Sequence, residues 1–167
     1  MQTSSRPPAL QQPVGVEAIE EVLQQASSRL QIMNQVEPGH GVVPVFGDGG
    51  VLLRPGEVAI YKEERAYEFC DGTPPGLYCL ERQRPVACSP LPDSPRIIER
   101  EVVYVRPAMR QGLEAGCWEY VSLHSKVIRG TRRYARPEGP FYPWALGTYI
   151  LGPVVGIYLP TSFAGEC

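Results

Sequence analysis

The chain has 167 residues, is 43% hydrophobic and carries a formal charge of -2, which gives room for one domain with a core and a modest extension rather than two domains. A charge so close to neutral excludes bulk attraction to nucleic acid, so any basic site has to be local. No run approaches the roughly 20 apolar residues of a membrane helix, and the Gln-, Ser- and Pro-rich start lacks the apolar core of a signal peptide, so the expected location is cytoplasmic with no membrane partner.

With 17 Gly and 18 Pro spread at short intervals, many short strands are favoured over long helices, and the expected class is mainly β. Residues 1–14 read as a disordered arm, because Pro7, Pro8 and Pro13 block helix and little apolar surface is there to bury. Within 15–36 the spacing of Val16, Ile19, Leu23, Ala26, Leu30 and Met33 predicts one helix over 16–35 with a narrow apolar stripe. A stripe of fewer than three heptads is marginal alone, so it packs against its own domain or against a second copy, with Ile19, Leu23 and Leu30 as interface candidates. Glu37-Pro38-Gly39-His40-Gly41 then stops the helix.

A β domain is expected over 41–160, followed by a tail at 161–167. Its predicted strands are 42–46, 58–61, 66–70, 76–81, 97–105, 118–123 and 149–158, and the Pro-rich stretch 82–95 reads as a long exposed loop. Pro153 removes a ladder donor from the last strand, which predicts an edge position or a bulge. An interrupted edge strand suits pairing with another subunit, so Tyr149, Ile150, Val154, Val155 and Ile157 join the interface candidates.

Five cysteines without a Cys-x-x-Cys pair argue against a zinc ribbon and read as free thiols in a reducing compartment; no metal or cofactor is expected. Cys117 and His124, seven residues apart, would point to opposite faces of a single strand, which argues against cysteine catalysis. Glu63, Glu64, Glu68 and Asp71 have no nearby histidine to complete a metal set and read as a solvated edge. Lys126, Arg129, Arg132, Arg133 and Arg136 form the strongest charge feature, beside Tyr134. They fit a patch steering an acidic partner better than a nucleic-acid grip, which stays open as an alternative. The aromatics Tyr134, Phe141, Tyr142, Trp144 and Tyr149 read as packing around a Pro-rich turn or as a docking surface.

Gly47-Asp48-Gly49-Gly50 followed by Pro55-Gly56-Glu57, the Gly-led run 76–80, the run Trp118-Glu119-Tyr120-Val121-Ser122-Leu123 and the closing Ile150-Leu151-Gly152-Pro153-Val154-Val155-Gly156-Ile157-Tyr158 resemble the LexA-like self-cleaving repressor and signal-peptidase family. The resemblance implies a strongly bent antiparallel β domain preceded by one helix. In that family a serine hydroxyl is activated by a buried neutral lysine. Here Gly49 stands where the serine would be and Arg106 where the lysine would be, so the implied dyad is vestigial and no catalytic residue is assigned. The expected function is a catalytically inactive module for protein interaction and self-association as a homodimer, in phage or transcriptional regulation. Two alternatives stand beside it: a divergent serine peptidase using Ser89 or Ser94, and nucleic-acid binding through 126–136.

Overall fold

The computed structural model describes residues 16–45, 53, 56–64, 67–70, 72–85, 96–108 and 116–158, with the backbone alone for 16–20, 27, 84, 85, 125–128 and 131–133. Along the chain come α1 (Val16–Ser27), β1 (Gln31–Met33), β2 (His40–Pro44), β3 (Val58–Lys62), β4 (Gly76–Pro85) and β5 (Arg96–Pro107). They are followed by β6 (Trp118–Ser122), β7 (Ser125–Ile128), β8 (Thr131–Tyr134), β9 (Glu138–Phe141), α2 (Pro143–Gly147) and β10 (Ile150–Tyr158). The chain is mainly β, as expected. Among the described residues eight strands form one sheet in the order β2-β3-β10-β4-β5-β6-β9, with β1 parallel to the end of β10 and every other pairing antiparallel. β7 and β8 form a separate hairpin.

Both faces of the central strands are covered, which follows from alternating side chains that are apolar on either side. Leu77, Cys79, Val102 and Tyr104 point into one core with Leu23 of α1 and Val43 of β2. Tyr78, Leu80, Val103 and Val105 point into the other with Phe69, Trp118 and Leu146 of α2.

The helix ends sooner than the stripe predicts. Ser28 closes it with a backbone bond to Gln24 and a hydroxyl bond to the Gln25 carbonyl at 2.8 Å. The chain then extends, and residues 31–33 pair with Gly156, Ile157 and Tyr158 of β10. Leu30 packs against the first core from outside the helix, which is why the apolar spacing runs on past the last helical turn. Leu23, Ala26 and Leu30 of the stripe pack into or against this core, while the Val16 and Ile19 side chains lie outside the described residues.

Two further expectations are corrected. Residues 67–70 are irregular, not a strand: Tyr67 and Phe69 anchor the segment in the second core and Cys70 turns onto Thr73 through a 2.9 Å bond to its hydroxyl. The start of the predicted loop at 82–95 is strand, because 82–85 continue β4 opposite Glu99, Ile98, Ile97 and Arg96, while 86–95 lie outside the described residues. β1, β7, β8, β9 and α2 had no counterpart in the sequence reading, although Pro143 opens α2 at the position where proline is favoured.

β10 contains the expected bulges, at 150–152 and at 154–156, but it is an interior strand. Its first half pairs with β4, its second half with β3 and β1, so its backbone is engaged within the chain. Gly152 makes the crossing possible: its φ is +150°, and a Cβ there would collide with the carbonyl of Lys62.

Candidate functional site

The ladder between β5 and β6 runs only from Val103↔Ser122 to Pro107↔Trp118. Beyond Ser122 the chain leaves the sheet, so the outer edge of β5 at 96–102 has no strand partner among the described residues. A cavity of about 330 Å³ lies along this edge, lined by Ile98, Glu99 and Glu101 of β5, by His124 and by Val45 and Leu53. Val45 and Leu53 bracket segment 46–52, the stretch that carries Gly49. Ile98, which lines the cavity, and its neighbour Ile97 stand 62% and 51% exposed on the solvent-facing half of β5, whereas 101–105 are buried.

The floor is charged. Arg82 and Glu99 are register partners across the β4–β5 ladder, joined by Arg82 Nε to Glu99 Oε2 at 3.2 Å. Arg82 also places Nη2 2.8 Å from Glu101 Oε1 and Nη1 3.5 Å from Glu138 Oε1. The contact to Glu101 Oε1 is a close ion pair without hydrogen-bond alignment. Burial works against the Arg82 charge, but Glu101, Tyr120 and Glu99 outweigh it and the pKa is raised. Ser122 donates its hydroxyl to Glu101 Oε2 at 2.8 Å, and Tyr120 donates to Glu138 Oε2 at 2.5 Å. His124 Nε2 stands 3.8 Å from Glu101 Oε2.

Serine, histidine and glutamate thus meet in the wrong order for nucleophilic catalysis. The carboxylate sits in the middle, whereas activation needs the imidazole between hydroxyl and acid. The group holding the Ser122 hydroxyl is an ion-paired carboxylate, not a neutral amine. The arrangement can orient polar partners and accept donors arriving along the edge of β5.

Gly49, Ser89 and Ser94 lie outside the described residues. Arg106 does not line the cavity: it stands at the far end of β5 opposite its register partner Glu119, with Nε 2.9 Å from Glu119 Oε1 and both side chains largely buried. Lys62 is exposed and hydrogen-bonded to Glu64 at 2.9 Å, which raises its pKa and keeps it an ammonium, unfit as a base. The Lys126 side chain is outside the description. Cys117 and His124 flank β6 at opposite ends, with the whole five-residue strand between them. Among the described residues no group of three metal-ligating side chains occurs.

Of the interface candidates, Leu23, Ile150 and Val154 are buried, Leu30, Val155 and Ile157 half-buried and Tyr149 exposed. The expected aromatic cluster divides. Tyr134 packs on the α1 side, Phe141 stacks on Tyr120, and Tyr142 stacks on Trp144 at the surface. The basic residues fall on the β7–β8 hairpin and just after it, with Arg129 and Arg136 exposed.

The Arg82–Glu101–Ser122 network was missed in the sequence. Its members are 19 to 40 positions apart, and the signal that could have found them is the i, i+2 spacing of Glu99 and Glu101 within a strand-like run. Comparisons of the chain with protein-family models, with curated proteins and with solved structures found no match.

Proposed function

We propose that the chain is a catalytically silent domain on a LexA-like, signal-peptidase-like β scaffold, and that it acts by docking an extended segment of a protein along β5. The observation carrying this is the polar centre beside the cavity: the Ser122 hydroxyl faces Glu101, which Arg82 holds as an ion pair, whereas peptidase chemistry needs a hydroxyl facing a neutral amine. An open strand edge supplies backbone donors and acceptors, Ile97 and Ile98 supply apolar contact, and Glu99 and Glu101 read the charge of the incoming segment. The setting in phage or transcriptional regulation rests on the family resemblance alone.

The test is incubation of the purified chain from neutral to mildly alkaline pH, where a lysine base would begin to lose its proton, followed by intact-mass measurement. The mass stays that of the whole chain. Fragments that vanish in Ser89→Ala or Ser94→Ala would replace this reading with a divergent serine peptidase.

A further inference from the structure

The β7–β8 hairpin lies in the most basic stretch of the chain. Its backbone ladder pairs Lys126 with Arg133 and Ile128 with Thr131. At the tip, Arg129 and Gly130 form a two-residue turn with φ of 52° and 77°. That geometry favours asparagine or glycine, yet the first position holds an exposed arginine. Segment 125–136 carries five cations and no carboxylate in a chain of net charge -2, so the remainder carries -7.

A complementary surface lies elsewhere on the molecule. A groove of about 590 Å³ between β3 and α2 is lined by Tyr61, Tyr67, Trp144, Glu63, Glu64 and Glu68. Trp144 is 73% exposed and backed by Tyr142, whose ring is stacked 6.4 Å away. Lys62 holds Glu64, and Glu81 holds Arg100, the cation that also lines the groove. Glu63 and Glu68 are in no ion pair among the described residues. Carboxylates beside an exposed indole face make a receptor for guanidinium groups, which pair with the first and stack on the second. No hairpin residue lines this groove.

We infer that the basic hairpin of one copy docks into the acidic aromatic groove of a second copy, with Arg129 and its neighbours against Trp144, Glu63 and Glu68. This rests on the reading of the chain as an interaction module and names its self-association surface. A second copy fits better than nucleic acid, because phosphates would meet the -7 of the remaining chain, whereas a copy brings the matching groove. Since hairpin and groove are different patches, the contact either pairs reciprocally in an isologous two-fold dimer or runs head to tail into a ring or filament.

The test is sedimentation of the full chain, alone and as charge-reversed variants checked for an unchanged thermal melt. The wild-type chain self-associates at low salt and dissociates at high salt. Arg129→Glu with Arg136→Glu, and separately Glu63→Lys with Glu68→Lys, give monomers. Mixed together, the two monomeric variants form a one-to-one heterodimer, because one intact hairpin then meets one intact groove. A wild-type chain that is monomeric at low salt, association that survives either variant, or a mixture that stays monomeric would each overturn the inference. None of these results bears on the cleavage test or on the β5 edge, so the two readings fail separately.

Discussion

Arg106 and Glu119 face each other across the β5–β6 ladder with Nε and Oε1 2.9 Å apart, both side chains more than four-fifths buried. The residue that the family resemblance puts in the place of a catalytic base is thus a structural partner. Arg106→Ala leaves the Glu119 charge buried without its counterion and lowers stability by about 3–5 kcal/mol in urea unfolding. A loss under about 1 kcal/mol would mean that the pair is solvated in the native state.

Leu23 is 1% exposed in the first core. Leu23→Ala costs about 2–5 kcal/mol of folding stability through lost burial and a residual cavity. Its mass in solution at a concentration where it remains folded equals that of the wild type. A folded variant that loses self-association would return the helix stripe to the role of interface.

At Gly152, Ala destabilises through both steric collision with the Lys62 carbonyl and a φ that side chains avoid. A loss above about 2 kcal/mol is expected by thermal unfolding. The mild change typical of an edge strand would contradict the interior placement of β10.

Much of the sheet was legible because 58–61, 76–81, 97–105 and 118–123 are β-branched and aromatic runs bounded by turn residues. The position of β10 was not, because Pro153 argues for an edge, while in the fold it pairs opposite Tyr78 just after a bulge. The helix end was hidden as well. Leu30 keeps the helical spacing yet reaches the core from extended chain, so periodicity alone could not mark the last turn. The β7–β8 hairpin was concealed by its arginines, which read as a charged patch, although Val127, Ile128 and the Gly130 turn carry a weak strand signal. The cavity could not be read at all, since it depends on β6 stopping short of β5, a difference in length between two paired strands.

Cys79 is fully buried and its thiol is pushed up to about 12 by desolvation, while burial first of all also raises Tyr61, Tyr78, Tyr104 and Tyr120 above 10.0. As pH rises, the unfolded chain releases these protons before the native chain does. The stability they confer is therefore complete below 9.0 and is lost through the window up to about 12 for Cys79. Urea midpoints stay level to about pH 9 and fall above it, by at most about 1.4 kcal/mol per pH unit for each group. At neutral pH, exposed Cys70 reacts with a thiol reagent at once and Cys79 only on unfolding. Rapid labelling of Cys79 in the native chain would contradict this packing.

The most direct measurement is to select extended peptides that bind the chain and to map their effect on its backbone amide resonances. Binding at the open edge shifts and protects the amides of 98–102 and His124, leaves the peptide intact, and is weakened by Ile98→Asp. Peptides that are cleaved, or that perturb other strands while leaving β5 untouched, would contradict the assignment of this edge as a docking site.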